Sequence, residues 1–162
     1  MRPKLIIITG TPGTGKTTLA RCLTHKLNYY RLDLHKYYSQ LSIAYNRKKR
    51  CYDIDIKKFQ TLVRQQIKAH PEGLIIDSHI THHLPASLVK VCIVLTCSDL
   101  KILHTRLQKR KYSKQKIREN LDAEIFQVCL DEAKERGHKV IVIDTFKNQN
   151  NSNHLSKLTK SL

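Results

Sequence analysis

The sequence of residues 5–18 is LIIITGTPGTGKTT, in which a short apolar run leads directly into a glycine-rich loop. Residues 10–17 match the phosphate-binding pattern G-x-x-x-x-G-K-S/T at every fixed position. The apolar run predicts a buried strand over 4–9, and leucines spaced four apart predict a helix over 16–27. Because a strand before the pattern and a helix after it are the context that the pattern requires, we interpret the loop as a polyphosphate site.

The residue types in this loop suit the binding of phosphate. Gly13 and Gly15 allow a tight turn in which successive backbone N–H groups point into one hollow. The helix after the loop adds free N–H groups and the positive end of its dipole. Lys16 offers an ammonium group to the β- and γ-phosphates, and Thr17 offers a hydroxyl to Mg²⁺. No acidic residue occurs before Asp33, so nothing close to the loop in sequence repels a polyphosphate.

The rest of the chain shows strands alternating with helices. Further strands are predicted over 29–34, 74–77, 91–95 and 139–143. Helices are predicted over 35–45, after Asp53 or Asp55, over 99–109, and as one long helix through 117–128 that ends at Gly137. Such alternation indicates parallel β-α-β units, and strands that are apolar throughout fit a sheet covered on both faces. The predicted fold class is therefore a three-layer α/β P-loop NTPase with about five parallel strands.

Composition narrows the class of protein further. The 162 residues are enough for one domain, and 30 Lys and Arg against 13 Asp and Glu give a formal charge of +17. This charge favours an anionic partner such as a nucleotide, a nucleic acid or a membrane surface. No apolar run is long enough to span a bilayer and no signal peptide precedes the first strand, so we expect a cytoplasmic protein. The five cysteines have no C-x-x-C spacing and are interpreted as small core residues in a reducing compartment.

Candidate functional residues also occur outside the loop. Asp77 ends a predicted strand, where a carboxylate can hold Mg²⁺, although it could instead cap a turn. Arg106 and Arg110 belong to residues 101–118, which contain eight Lys or Arg and no acid. We expect this segment to form a basic flap over the phosphates; the alternative is a solvated basic face. Residues 47–50, RKKR, are surrounded by tyrosines and form either an RNA-binding segment or a solvated charge run.

Three histidines follow Asp77 in a predicted loop over 78–85. His79 is expected near the γ-phosphate, where it could orient water. His82 and His83 are expected to be exposed loop residues. A zinc site at these histidines is the less favoured alternative, because no cysteine or fourth ligand lies near them in sequence.

The chain resembles the adenylate kinase 6 family of small P-loop proteins over residues 4–145. The resemblance is carried by four strings: TGTPGTGKTT at 9–18, IIDSH at 75–79 with Pro85 beyond it, RKY at 110–112, and EIFQV at 124–128 with Asn120 before it. Three features depart from the family pattern. Lys111 stands where the family has glycine, Ser78 replaces an aromatic residue, and residues 47–50 are basic where the family is commonly acidic.

The resemblance implies one adenylate-kinase-like domain over 1–162 with a short lid. The monophosphate-binding segment would cover about 33–56, the lid about 109–119 and a polar tail about 147–162. The implied ATP-binding residues are Gly13, Thr14, Gly15, Lys16, Thr17, Thr18 and Arg110. The implied catalytic residues are Lys16, Asp77, His79 and Arg110, with Thr17 and Asp77 as Mg²⁺ ligands and Asp33 on the AMP side.

The function that the resemblance implies is a Mg²⁺-dependent adenylate kinase that converts ATP and AMP to two ADP and also hydrolyses ATP. It further implies a role in maturation of the small ribosomal subunit, with a ribosomal protein and rRNA as partners, in the cytoplasm or the nucleus and away from membranes. Two alternatives stay open. One is a nucleotide-switched assembly factor with ATPase but little kinase activity, and the other is a kinase for another small acceptor.

Overall fold

A five-stranded parallel sheet forms the centre of the computed structural model, which describes residues 4–46 and 51–147. The strands are β1 (Leu5–Gly10), β2 (Tyr30–Leu32), β3 (Ser42–Asn46), β4 (Cys51–Ile54), β5 (Leu74–Asp77), β6 (Val91–Thr96) and β7 (Val140–Asp144). The central sheet has the order β2-β5-β1-β6-β7, and β3 pairs with β4 in a separate antiparallel hairpin. The predictions for the basic segment 47–50 and for the tail beyond 147 lie outside the described residues.

Helices cover both faces of the sheet. They are α1 (Lys16–Leu27), α2 (Tyr38–Leu41), α3 (Ile56–Ala69), α4 (Leu100–Lys109), α5 (Lys114–Ile125) and α6 (Val128–Glu135). All six residues of β1 are buried, and alternate residues contribute to two apolar clusters on opposite faces. Ile8 packs with Leu23 of α1 on one face, and Ile7 belongs to the cluster of Phe59 and Val63 of α3 on the other. The prediction of a three-layer α/β P-loop fold is confirmed.

The parallel topology determines where a site can form. In parallel strands the carboxyl ends meet at the same edge of the sheet, which is where ligands bind in open α/β folds. The register pairs Ile8 of β1 with Asp77 of β5 and Gly10 of β1 with Leu95 of β6. The loop after β1 therefore emerges beside Asp77, as the sequence predicts.

The predicted helix over 35–45 is wrong beyond Leu41. The chain forms a 3₁₀ turn at Leu34–Tyr37 and only one turn of α-helix in α2, and it then becomes extended at Ser42. Residues 42–46 pair with residues 51–54, so the backbone hydrogen bonds of this segment are satisfied by a neighbouring strand. Local helical spacing could not reveal this pairing.

The predicted long helix through 117–128 is interrupted. Helix α5 ends at Ile125, and Gln127 adopts a left-handed conformation with φ of 50° before α6 begins. The Gln127 N–H donates to the Glu124 carbonyl at 3.1 Å, which caps the end of α5. Since glycine usually marks such a cap, a glutamine there gives no warning in the sequence, whereas Gly137 ends α6 as predicted.

Two further sequence expectations concern cysteines and membranes. Cys22, Cys92, Cys97 and Cys129 have free thiols, and Cys92 and Cys97 are buried. None of the helices in the described ranges combines the length and the apolar composition that crossing a bilayer requires.

Candidate active site

The loop between β1 and α1 has the shape that phosphate binding requires. Thr14 is fully buried and closes the turn, because its N–H and its hydroxyl donate to the Thr11 carbonyl at 3.3 and 2.8 Å. Gly13 and Gly15 have φ of 91° and 92°, a region that glycine enters without strain. Helix α1 begins with no capping side chain and no acid in its first turn. Its first N–H groups and the positive end of its dipole are therefore oriented to receive an anion.

Helix α4 packs directly against this loop. A Cβ atom at Gly13 would lie 3.0 Å from Leu103 Cδ1, and Arg106 Nη1 donates to the Gly13 carbonyl at 3.3 Å. Arg106 thus holds the loop by its backbone. Gly13 is needed both for its positive φ and for this close approach of a helix, and the sequence motif predicts only the first requirement.

Lys16 lies folded back onto the loop. Its Nζ donates to the carbonyls of Gly10 and Thr11 at 2.7 and 3.0 Å. Burial and, to a smaller extent, the positive charge of Arg110 lower the pKa of Lys16 to about 8, although Asp77 opposes the shift. The ammonium group is therefore less stable here than in water, and it would be stabilised by negative charge brought into the loop.

Thr17 and Asp77 are brought together as predicted. The Thr17 hydroxyl donates to Asp77 Oδ2 at 2.7 Å, and the Asp77 side chain is only 2% exposed. A hydroxyl and a carboxylate converging at the phosphate loop are oxygen donors of the kind that Mg²⁺ prefers, so these two residues fit a Mg²⁺ site.

Arg31 belongs to the site, although the sequence motifs do not predict it. This residue lies on β2, and its Nε donates to Asp77 Oδ1 at 2.7 Å. The one available signal is an arginine between two apolar neighbours in a three-residue strand, where a buried charge needs a partner.

His79 lies two residues beyond Asp77, at the same end of the sheet. The residue is exposed, but desolvation by the surrounding protein and the charge of Lys16 lower the pKa of His79 to about 4. Nearby, Tyr38 lies 3.5 Å from Ser78 through their hydroxyl oxygens. The segment that is expected to bind the monophosphate therefore contacts the residue that follows Asp77.

Arg110 caps α4 at the start of the expected lid. Its side chain is exposed, and its charge acts on Lys16. The turn after it is a Schellman motif, in which Lys111 N–H donates to the Gln108 carbonyl at 2.8 Å and Tyr112 N–H to the Leu107 carbonyl at 3.5 Å. The other three predicted catalytic residues, Asp77, His79 and Arg110, thus all lie close enough to Lys16 to interact with it electrostatically.

Comparisons with known proteins agree with this geometry. A family model described as AAA domain matches residues 6–127. The chain is 36% identical over 163 residues to the adenylate kinase isoenzyme 6 homolog of Dictyostelium discoideum, covering 94% of this chain and 89% of that protein. It is 32% identical over 139 residues to the adenylate kinase isoenzyme 6 homolog of Caenorhabditis elegans, covering 85% and 76%. The chain belongs to the adenylate kinase 6 family.

A solved structure supports the same fold. The crystal structure of shikimate kinase from Bacteroides thetaiotaomicron superposes with a TM-score of 0.56 at 14% identity, covering 96% of this chain and 98% of that one. The fold is therefore that of a P-loop kinase.

One departure from the adenylate kinase 6 pattern has a clear structural setting. Lys111, which stands where the family has glycine, adopts a left-handed conformation with φ of 56°. Glycine enters this region more readily than lysine does, because lysine has a Cβ atom. A glycine at this position would therefore adopt the Schellman turn with less strain than lysine does.

Asp33 has a local partner in the structure. Its Oδ1 accepts hydrogen bonds from the His35 N–H at 3.2 Å and from His35 Nδ1 at 3.1 Å. Partial burial raises the pKa of Asp33, but these hydrogen bonds outweigh it and hold the pKa below its usual value. Asp33 therefore caps the 3₁₀ turn Leu34–Tyr37, at the start of the segment that is expected to bind the monophosphate.

The prediction that His82 is an exposed loop residue is wrong. Its side chain is 2% exposed, and its two ring nitrogens lie 2.9 Å from Thr9 Oγ1 and 2.6 Å from Glu132 Oε2. His83 is half-buried. Glu132 is 50 residues away along the chain, so only the packing of α6 against the sheet could reveal this contact.

Proposed function

We propose that this protein is a Mg²⁺-dependent adenylate kinase that transfers the γ-phosphoryl group of ATP to AMP and, with water as acceptor, hydrolyses ATP. The observation that carries the proposal is the Thr17–Asp77 pair, with a 2.7 Å hydrogen bond, beside the half-buried Lys16 on a phosphate loop. The names of the relatives add support, because the Dictyostelium and Caenorhabditis proteins are both adenylate kinase isoenzyme 6 homologs.

The loop would bind the triphosphate of ATP. Gly13, Gly15, Thr17 and Thr18 would offer backbone N–H groups, while Thr14 keeps the turn closed through Thr11. Lys16 would exchange its two carbonyl partners for phosphate oxygens. Thr17 and Asp77 would hold Mg²⁺, which when bound supplies positive charge at the β- and γ-phosphates.

The transfer itself mostly requires positioning and neutralisation of charge. A phosphate oxygen of AMP attacks the γ-phosphorus in line, the bond from that phosphorus to the β–γ bridging oxygen breaks, and ADP leaves. Lys16 and Arg110 would neutralise the charge on the transferring group. Asp33 would organise the segment that holds AMP.

His79 would serve the hydrolytic reaction. Its lowered pKa keeps the ring neutral at pH 7, so a ring nitrogen can accept a hydrogen bond from water. A water oriented in this way next to the γ-phosphate would take the place of AMP as acceptor.

The test is to incubate the chain with ATP, Mg²⁺ and AMP and to quantify ADP and free phosphate separately. We expect AMP-dependent formation of ADP, a lower rate of phosphate release, and loss of both in Lys16→Ala. The matched control is Lys26→Ala, which removes an exposed lysine of α1 far from the loop in sequence. If phosphate is released but no AMP-dependent ADP forms, the protein is an ATPase and not an adenylate kinase. If Lys16→Ala retains turnover, this loop takes no part in the mechanism.

We propose as a second role that the protein assists maturation of the small ribosomal subunit by contacting a ribosomal protein and rRNA. The formal charge of +17 and the eight basic residues of 101–118 support an RNA-facing surface. Affinity for rRNA should fall with salt at a slope of about −0.7 per phosphate contact on single strands or about −0.9 on duplexes. Binding to rRNA that differs between ATP and ADP would support a nucleotide switch, and equal binding in both would exclude one.

A further inference from the structure

A second group of side chains with potential metal-ligand atoms lies outside the phosphate loop and plays no part in the proposed phosphoryl transfer. His82, His83 and Glu132 each place one nitrogen or oxygen atom within 4.8 Å of the others. His82 Nε2 is 2.6 Å from Glu132 Oε2, and the rings of His82 and His83 have centroids 4.3 Å apart.

The backbone that carries the two histidines is held in place by the core. They belong to the 3₁₀ turn Thr81–His83, and the Thr81 hydroxyl contacts the Ile8 and Ser78 carbonyls at 3.1 and 3.0 Å. On the other side, His138 Nε2 donates to the His82 carbonyl at 2.9 Å. The turn therefore faces α6, which carries Glu132, in an arrangement that exists before any ligand binds.

We propose that His82, His83 and Glu132 form a binding site for a divalent transition metal, and that it binds Zn²⁺. Two imidazoles and one carboxylate form a donor set typical of zinc, whereas Mg²⁺ and Ca²⁺ prefer oxygen ligands alone. Glu132 is 42% exposed and His83 is half-buried, so the open coordination positions face solvent and can take water.

The surroundings of His82 also suit a metal ligand. A ligating histidine usually bonds through its second ring nitrogen to a fixed group, which orients the ring. Here that nitrogen, Nδ1, lies 2.9 Å from the hydroxyl of Thr9, which is fully buried. Thr9 immediately precedes Gly10 in β1. A metal bound to His82 Nε2 would therefore be connected, through the imidazole ring and the hydrogen bond between Nδ1 and Thr9, to the strand that leads into the phosphate loop.

The experiment titrates metal-free protein with Zn²⁺ in competition with a chromophoric chelator. We expect one Zn²⁺ per chain, with affinity reduced by at least about tenfold in His83→Ala and in Glu132→Gln. His25→Ala and Glu135→Gln are the matched controls, because both side chains are exposed and lie outside the cluster, and both should bind as the wild type does. Neither test variant removes a buried side chain, and a thermal melt without metal verifies that each one folds.

Co²⁺ provides an independent readout of the ligands. A site of two histidines and a glutamate should give visible absorption bands without the intense near-ultraviolet bands of a cobalt–thiolate bond. Zn²⁺ should also raise the Tm of the wild type and not that of His83→Ala. Thiolate bands, unchanged affinity in both test variants, or equal loss in the two controls would each overturn the proposal, and none of these results would bear on the phosphate loop.

Discussion

Arg31 Nε donates to Asp77 Oδ1 at 2.7 Å, while the Thr17 hydroxyl donates to the other oxygen of the same carboxylate. The two residues come from neighbouring strands, since β2 pairs with β5 and Arg31 is in register with Ile75. Both oxygens of Asp77 therefore have a protein donor, and its carboxylate is oriented toward the phosphate loop. Arg31 is thus a positioning residue for Asp77.

Arg31→Ala should reduce both the activity and the stability of the protein. Loss of a partner that orients a metal-ligating carboxylate typically costs about 10–100-fold in metal affinity or activity, so we expect kinase activity and its Mg²⁺ dependence to weaken by that factor. Because the substitution leaves one oxygen of a buried carboxylate unpaired, the free energy of unfolding should fall by about 1–3 kcal/mol. Steady-state kinetics over a Mg²⁺ series and urea unfolding measure the two effects.

The control is Arg64→Ala, which removes an exposed arginine of α3 and should change neither activity nor stability. An equal effect of both variants would contradict a specific role for Arg31.

ATP binding should take up a proton at alkaline pH because of Lys16. Its pKa of about 8 in the nucleotide-free protein should rise when phosphate oxygens replace the backbone carbonyls. Near pH 9 the free protein holds Lys16 largely neutral and the complex holds it charged, so uptake should approach about one proton. Titration calorimetry in buffers of different ionisation enthalpy measures this number. It should vanish in Lys16→Gln, and an absence of uptake in the wild type would contradict the lowered pKa.

The lowered pKa of Lys16 also makes the stability of the folded chain depend on pH. Between pH 8 and 10.5 the unfolded chain keeps the proton of Lys16 and the folded chain has lost it. The contribution of this group to the free energy of unfolding therefore increases as the pH rises through that window, and it is smallest below pH 8.

The phosphate-loop side of the site could be predicted from sequence because its parts are local or follow from topology. The loop is one continuous string, and Asp77 ends an apolar strand whose carboxyl end must lie at the same edge of a parallel sheet. The proximity of Thr17 and Asp77 thus follows from two strand assignments. The roles of Asp33, His79 and Arg110 stay predictions.

The contacts that sequence could not reveal join distant parts of the chain. Arg31 and Asp77 are 46 residues apart, and His82 and Glu132 are 50 residues apart. Each pair depends on how a strand or helix is placed by packing. Backbone exceptions were missed for another reason, because Lys111 and Gln127 adopt left-handed conformations in which glycine is expected.

His79 should titrate well below an ordinary histidine. Its pKa of about 4, against a usual value of 6.5, means that the folded chain resists a proton that the unfolded chain accepts. The contribution of His79 to stability is therefore complete above pH 6.5 and decreases as the pH falls toward 4. Ring-proton chemical shifts in an NMR pH titration, assigned with a His79→Gln variant, measure the midpoint. A midpoint near 6.5 would show that the ring is fully hydrated and that Lys16 does not act on it.

Lys111→Gly should stabilise the protein, although it removes a side chain. The left-handed conformation at Lys111 costs lysine about 1–2 kcal/mol that glycine avoids, while glycine loses about 0.5–1 kcal/mol more backbone entropy on folding. The balance predicts a free energy of unfolding higher by up to about 1.5 kcal/mol and a correspondingly higher Tm. The matched control is Lys109→Gly two residues earlier, at the last residue of α4, where glycine should destabilise by about 0.5–1 kcal/mol because the helix favours lysine. Both variants remove one positive charge from the same turn, so opposite shifts in Tm isolate the backbone effect. A lower Tm in both variants would instead assign the stability of this turn to the lysine side chains.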